Sequence, residues 1–221
     1  MVIKNFVILG ERSSGTNFLE QAIIQNFKLK YLDLSTSSDN SFKHFYGFDH
    51  QSILNDPGTI VFCIIRETVE WVDSFFNSPY HVNSNLKNNI TDFITKIWIS
   101  NNEKTLKEIT EDRNIHNGEY YLNIFEMRNT KIKYMYDLNV PNKYILNYND
   151  LRDNFNSTML DIQKQFNLNK RLLYFQNITS YKGLNNTAPF VIKKINLEQD
   201  IIQKITSMDS ESKKSILCKN L

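Results

Sequence analysis

The stretch FVILGERSSGTNF, residues 6–18, decides the fold. Its four opening apolar residues predict a buried strand, and apolar positions at helical spacing predict a helix over residues 16–27. Gly10 and Gly15 enclose the loop between these elements. A glycine-rich turn between strand and helix directs backbone N–H groups and the positive end of the helix dipole to one point. The sequence therefore predicts a loop that binds a phosphate or sulfate group.

The loop differs at one key position from the P-loop of nucleoside triphosphatases (NTPases). Its G-x-x-x-x-G spacing fits that motif, but Thr16 stands where the P-loop has lysine. A P-loop kinase or NTPase also needs an acidic Mg²⁺ ligand at the end of an apolar strand. Here the most apolar run, TIVFCII at Thr59–Ile65, is followed by Arg66. A kinase or NTPase is therefore the less favoured alternative.

Composition predicts one globular domain. The chain has 221 residues, of which 41% are hydrophobic, enough for a full core, and we expect a single domain over residues 1–221. With 26 Lys and Arg against 24 Asp and Glu, the net charge of +2 gives no global electrostatic basis for nucleic-acid or membrane binding. Two cysteines and no long apolar run predict a cytoplasmic protein, with Cys63 buried.

Strands and helices are predicted to alternate along the chain. We expect strands at residues 6–9, 29–34, 59–65 and 144–148, helices at residues 16–27, 67–76, 90–109, 123–138 and 156–166, and one or two small helices within 197–217. This order predicts a three-layer α/β fold, with a central, mainly parallel sheet flanked by helices and ligands bound at the carboxyl ends of the strands.

Three further side-chain patterns are informative through their spacing. Arg66 and Ser74, eight residues apart, suit a second phosphate group. Arg128 and Lys131 share one helix face, which we interpret as a solvated stripe. Trp71 and Trp98 recur at helical spacing with other apolar residues, which favours core positions.

Together, GERSSGTNFLE at residues 10–20 and IIRETVEWVDSFFNSPYH at residues 64–81 resemble the sulfotransferases that use 3′-phosphoadenosine-5′-phosphosulfate (PAPS). In that family an S-G-T loop binds the 5′-phosphosulfate, and an Arg with a Ser eight residues later binds the 3′-phosphate. The resemblance implies a P-loop-NTPase-like sulfotransferase architecture. It also implies transfer of a sulfuryl group to a hydroxyl or amine, with adenosine 3′,5′-bisphosphate as the product and no metal.

The resemblance implies a set of cofactor-binding residues: Arg12, Ser13, Ser14, Gly15, Thr16, Asn17, Phe18, Arg66, Ser74, Tyr148, Lys182 and Gly183. Phe18 takes the place of the aromatic residue that stacks on adenine. Tyr148 opens a segment similar to the family's Y-E-D-L, with Asn149 in place of Glu. Lys182 and Gly183 are similar to its late K-G loop, whose second glycine is missing here.

Two catalytic roles follow from the resemblance. The family has a Lys or Arg directly before S-G-T that contacts the leaving oxygen; this chain has Ser13 there and Arg12 one residue earlier. We expect Arg12 to take that role, with Lys43 as the alternative. If Ser13 instead marks the loss of this leaving-group cation, the chain is a nucleotide-binding relative without catalysis.

The acceptor needs a general base, for which His44 is the first candidate and His81 the second. Lys43 and His44 are adjacent, so on a strand they would point to opposite faces. Asp49 and Glu11 remain open alternatives. We expect the acceptor, a small molecule, carbohydrate or peptide, to be bound by loops within residues 35–51, 77–87 and 183–190, with a second subunit as one way to complete the pocket.

Overall fold

The computed structural model describes residues 2–33, 44, 50–102, 104–180, 190–192 and 194–218, excluding the side chains of residues 111 and 215–218. Its strands are β1 Asn5–Gly10, β2 Lys30–Tyr31, β3 Thr59–Ile65 and β4 Lys143–Asn147. Its α-helices are α1 Thr16–Asn26, α2 Gln51–Leu54, α3 Thr68–Asn77, α4 Ile90–Thr95, α5 Ile124–Asp137, α6 Tyr148–Asp153, α7 Phe155–Phe166 and α8 Gln199–Cys218.

The chain divides into two compact units. The first comprises Met1–Thr36, Ser41–Glu67 and Leu138–Lys194, and the second comprises Ser37–Asn40, Thr68–Asp137 and Ile195–Leu221. The four strands belong to the first unit, and α3, α4, α5 and α8 belong to the second. The single domain expected over residues 1–221 stays a prediction.

The first unit is built on a four-stranded parallel sheet with the order β2-β1-β3-β4. Phe6 and Phe62, which alternate with Val7 and Cys63 along β1 and β3, face a core shared with α1 and α7, and all four are 0% exposed. Burial of both faces explains why TIVFCII is continuously apolar. The predicted α/β class, the parallel sheet and the burial of Cys63 are confirmed.

The sheet has a switch point between β1 and β3. After β1 the chain turns to β2 on one side, and β3 then pairs with β1 on the other side. In open α/β sheets such a reversal leaves a crevice at the carboxyl ends of the two strands, where ligands bind. The loop after Gly10 and the segment starting at Arg66 follow these two ends.

The second unit corrects the predicted helix over residues 90–109. Helix α4 ends at Thr95, and the chain then forms antiparallel bridges that pair Trp98 with Tyr121 and Asn101 with Glu108. The indole N–H of Trp98 donates to Asp112, 3.2 Å away, which fixes this extended course. Alternate residues from Trp98, namely Ser100 and Asn102, are buried as in an extended segment, whereas the apolar residues Ile97 and Leu106 are exposed. The C-terminal segment is one 20-residue helix, α8, instead of one or two small ones.

The solvated stripe predicted on α5 is wrong. Arg128 is 2% exposed and Lys131 is 6% exposed. Arg128 donates to the hydroxyl of Thr68 at 2.9 Å and lies 3.6 Å from Asp209, and Lys131 forms an ion pair with Asp112. The carboxylates of Asp209 and Asp112 neutralise the two cations, so both can be buried. Spacing in the sequence had suggested that they are exposed to solvent. Trp71 and Trp98 are core residues, at 0% and 2% exposed, as predicted.

Within the described part of the chain, no helix combines the length and the apolar character needed to cross a lipid bilayer.

Candidate functional site

The loop between β1 and α1 is a tight, ordered turn. The backbone N–H and the hydroxyl of Ser14 both donate to the carbonyl of Glu11, at 3.1 and 2.7 Å, and Ser14 is fully buried. Helix α1 begins at Thr16, and Gly15, its N-cap residue, has no side chain to cap it. The first N–H groups of a helix have no partner within the helix. The loop thus presents the donor end of α1 at the carboxyl edge of β1.

Both glycines of this loop are required by close packing. Gly15 has a φ of 97°, in the left-handed region, and a Cβ there would lie 2.3 Å from Cδ2 of Tyr148. A Cβ on Gly10 would lie 2.7 Å from Cγ2 of Ile64 and 2.8 Å from Oγ of Ser14. The G-x-x-x-x-G spacing therefore has a structural reason in this chain, because β3 and the Tyr148 ring approach the loop backbone too closely for any side chain.

Arg66 lies directly against this loop. Its Nη1 donates to the carbonyl of Ser13 at 3.1 Å, and its guanidinium carbon lies 4.6 Å from the ring centroid of Tyr148. Tyr148 is 6% exposed and follows β4 as the first residue of α6. One tyrosine ring therefore contacts both Gly15 and Arg66. Residues that follow three neighbouring strands, β1, β3 and β4, meet at the carboxyl edge of the sheet.

His44 also reaches this edge, from a segment whose neighbours lie outside the described residues. Its Nδ1 lies 3.1 Å from the carbonyl oxygen of Gly10. A carbonyl only accepts hydrogen bonds, so Nδ1 carries the proton in this contact. In the neutral ring, Nε2 is then the proton acceptor, as a general base requires. Lys43, the neighbouring candidate, is outside the described residues.

The other loop residues differ in exposure. Arg12 is 3% exposed and Thr16 5%, whereas Asn17 is exposed and Ser13 is half-buried with a left-handed φ of 62°. Phe18 is 9% exposed, with its ring centroid 5.9 Å from that of Tyr148 and 5.0 Å from that of Phe190. Phe18 thus lies at the boundary between the loop and the hydrophobic core.

The structure brings together part of the predicted site. Ser13, Gly15, Phe18, Arg66 and Tyr148 are linked by direct contacts. Ser74 belongs to the second unit, where it is half-buried within α3. His81 is in the same unit and is 6% exposed. Asp49, Lys182 and Gly183 are outside the described residues.

Sequence reasoning missed three contacts made by the segment that begins at Tyr148. The guanidinium carbon of Arg152 lies 5.6 Å from the Tyr148 ring centroid, and its Nε donates to Asp153 at 2.7 Å. The side-chain oxygen of Asn149 accepts from the backbone N–H of Glu67 at 3.3 Å, which joins the segments after β3 and β4. The i,i+4 spacing of Tyr148 and Arg152 was the available signal.

Neither a metal centre nor a cysteine nucleophile is evident in the described structure. Among the residues described, no group of three or more His, Cys, Asp or Glu side chains could hold a metal ion. Burial raises the pKa of Cys63 to about 12, although the charge of Lys143 acts in the opposite direction, so the thiol stays protonated at neutral pH.

No protein-family model matches the chain, and a comparison with curated proteins gives no match.

Proposed function

We propose that the chain is a PAPS-dependent sulfotransferase with a P-loop-like sulfotransferase architecture. The main support for the proposal is the hydrogen bond from Arg66 to the carbonyl of Ser13 in the glycine loop, at the switch point of the sheet. A kinase or NTPase needs an acidic Mg²⁺ ligand at the end of an apolar strand near such a loop, whereas β3 is followed by Arg66. A guanidinium beside the loop instead suits a second phosphate, since it matches phosphate geometry bidentately.

In the proposed site, two groups of residues bind the two charged ends of PAPS. The N–H groups of Gly15 and Thr16 and the Thr16 hydroxyl hold the 5′-phosphosulfate, at the donor end of α1. Ser14 keeps the loop in shape, because its hydroxyl donates to Glu11. Arg66 holds the 3′-phosphate. A guanidinium has five N–H donors, so its contact with Ser13 is compatible with a bidentate contact to phosphate.

Transfer proceeds in line at sulfur. The acceptor oxygen or nitrogen forms a bond to sulfur as the bond from sulfur to the bridging phosphate oxygen breaks, and that electron pair leaves with adenosine 3′,5′-bisphosphate. The acceptor proton passes to Nε2 of His44, whose Nδ1–H is held by the Gly10 carbonyl. Arg12, buried in the loop, neutralises the charge that develops on the leaving oxygen.

A second candidate is nucleotide binding without transfer. Ser13 occupies the position of the family's leaving-group cation, and its carbonyl accepts from Arg66. This arrangement retains the nucleotide contacts but supplies no cation at that position. Turnover separates this candidate from the first, whereas product binding is common to both.

The first experiment compares thermal stabilisation by two nucleotides. Adenosine 3′,5′-bisphosphate at 100 times its Kd should raise the unfolding free energy by about 2.7 kcal/mol, while ATP with Mg²⁺ should not raise it. Equal stabilisation by ATP would overturn the sulfotransferase proposal.

The second experiment measures transfer of labelled sulfate from PAPS to a panel of hydroxyl and amine acceptors. Arg12→Ala should lower turnover with less effect on product affinity, because its contact strengthens in the transition state. Unchanged turnover would move the role to Lys43 or another residue. Product binding without transfer to any acceptor class favours the non-catalytic candidate.

A further inference from the structure

Five cationic side chains lie at the amino edge of the sheet, opposite the candidate site. Lys4 precedes β1, and Lys28 and Lys30 lie at the start of β2. The N–H of Lys30 donates to the carbonyl of Lys4 at 2.9 Å, and the N–H of Lys28 donates to Asn169 at 3.1 Å. Lys170 and Arg171 follow Asn169. Residues from three distant parts of the sequence therefore form one edge.

Three consecutive apolar residues project from the same edge. Leu172, Leu173 and Tyr174 are 54%, 75% and 74% exposed. The cations Lys4, Lys28, Lys30, Lys170 and Arg171, with these three apolar residues, are called the amino-edge surface. Exposed apolar groups clustered beside polar ones are typical of interaction sites.

The three exposed apolar residues, 172–174, are here called the apolar turn. Polar contacts hold this turn in place. Asn26, which is 2% exposed, exchanges two hydrogen bonds with the backbone of Gln176, at 2.9 and 2.6 Å. The N–H and Nε of Arg171 donate to the carbonyls of Asn26 and Phe27, at 2.9 and 2.8 Å. The ammonium of Lys170 donates to the carbonyl of Leu173 at 3.0 Å. Exposure of the apolar side chains is therefore a property of an ordered turn.

The amino-edge surface keeps its positive charge. No described carboxylate forms an ion pair with any of its five cations. Asp56 joins this edge through Gly58, whose carbonyl accepts from Lys4. The N–H of Gly58 and the hydroxyl of Thr59 hold the pKa of Asp56 below its usual range, so it stays ionised. The described contacts thus place five cations and one carboxylate, that of Asp56, at this edge.

We propose that the amino-edge surface docks the protein on an anionic lipid membrane. The cations contact lipid phosphates and carboxylates, and Leu172, Leu173 and Tyr174 enter the boundary between headgroups and acyl chains. The near-neutral net charge of the chain does not oppose this, because charges beyond about 8 Å are screened at physiological salt. Docked in this way, the carboxyl edge with its glycine loop and Arg66 faces away from the membrane.

The apolar turn distinguishes a membrane from a nucleic acid. A polyanion such as DNA would bind the cations and depend on salt, but aliphatic side chains contribute little to non-specific phosphate binding. Membrane insertion instead uses apolar area directly. Replacement of Leu172 and Leu173 should therefore weaken binding to a membrane but leave binding to a nucleic acid unchanged.

The test measures co-sedimentation of the full chain with phosphatidylcholine vesicles that contain either no phosphatidylserine or 30 mol% of it. The protein should bind only the anionic vesicles. Replacing Lys28 and Lys30 together by Gln should weaken binding about 25-fold, since a lysine near an anionic surface contributes about fivefold. Leu172→Ser with Leu173→Ser should weaken it about tenfold or more. The matched control, Leu122→Ser at a leucine that is 67% exposed in the second unit, should bind like the wild type.

Insertion is tested separately with Tyr174→Trp. The native Trp71 and Trp98 are at most 2% exposed, so a fluorescence change on vesicle addition reports the new indole. Brominated acyl chains should quench it. Failure to bind anionic vesicles, or unchanged binding by the leucine variant, would overturn the proposal. Tighter binding to a 20-mer oligonucleotide than to vesicles, unaffected by the leucine variant, would overturn it in favour of nucleic acid.

Discussion

Two arginines lie over aromatic rings, Arg66 over Tyr148 at 4.6 Å in the first unit and Arg128 over Trp71 at 4.8 Å in the second. Arg66 is half-buried at a sheet edge and donates to a carbonyl of the glycine loop. Arg128 is 2% exposed and lies 3.6 Å from Asp209. The same ring contact therefore accompanies two different environments, a cation beside the glycine loop and a cation neutralised within a core.

The contacts of Asp209 explain why Arg128 has a structural role in the second unit. Burial disfavours the charged form of Asp209, but hydrogen bonds from Lys213, Asn129 and Thr68, and the charge of Arg128, hold its pKa below the usual range. These bonds connect α8 to α3 and α5. A buried charge is tolerated when it is paired and hydrogen-bonded in this way. We therefore expect changes at Arg128 to affect stability and changes at Arg66 to affect binding.

The largest expected effect is that of Arg128→Ala. Removal of the guanidinium leaves a buried carboxylate short of one partner, and the unfolding free energy should fall by about 3 kcal/mol in urea titrations. The control is Arg113→Ala, which removes a partly exposed partner of Glu108 and should cost much less stability, because solvent screens that pair. Similar losses for both variants would contradict an architectural role for the Arg128 network.

The next effect is that of Gly15→Ala, which tests the packing of Tyr148 on the loop. The new Cβ meets the Tyr148 ring and the φ of 97° strains any L-residue, so stability should fall by about 2.5 kcal/mol. Gly118→Ala is the matched control, since Gly118 has a φ of 73° but nothing within 4 Å of the added atom. It should cost about 1 kcal/mol. The difference between the two, measured by urea unfolding, isolates the clash, and equal costs would disprove it.

Arg66→Ala should change affinity more than stability. Loss of one ring contact and one carbonyl bond at a half-buried site should cost at most about 1 kcal/mol of stability. Under the proposed function, calorimetric titration should show at least about tenfold weaker binding of adenosine 3′,5′-bisphosphate and unchanged binding of adenosine 5′-phosphate.

Arg152→Ala is the matched control for Arg66→Ala. Arg152 lies over the same tyrosine ring, at 5.6 Å, but its guanidinium is paired with Asp153. The control should bind both nucleotides like the wild type. If Arg66→Ala weakens both ligands equally, Arg66 shapes the loop and does not select the 3′-phosphate.

The comparison of the two arginines also separates what the sequence could predict from what it could not. The run Thr59–Ile65 and the glycine loop carry local signals, a continuous apolar stretch and fixed glycine spacing, and both predictions of local structure were correct. The partner of Arg128 is Asp209, far away in sequence. Helical spacing shows which residues share a face, but it does not show what covers that face, so the stripe on α5 was misinterpreted as solvated.

The same limit applies to the candidate site. The approach of Arg66 to Ser13 and of Tyr148 to Gly15 depends on the strand order β2-β1-β3-β4, which no local pattern encodes. The amino-edge surface was missed for the same reason, because Lys4, Lys28 and Lys170 come together only through the backbone bonds around β2.

The smallest expected effect, that of Ser13→Gly, tests whether the loop beside Arg66 is strained. Ser13 has a φ of 62°, where a side chain costs about 1 kcal/mol or more, and glycine recovers this while losing about 0.5 kcal/mol to chain entropy. Urea unfolding should therefore show a gain of about 0.5 kcal/mol. Ser157→Gly in α7 is the control and should lose a similar amount, because glycine disfavours a helix. A loss at Ser13 would mean that its hydroxyl stabilises the loop by more than the backbone strain costs. A gain would locate strain at the residue whose carbonyl accepts from Arg66, in contrast to the neutralised environment of Arg128.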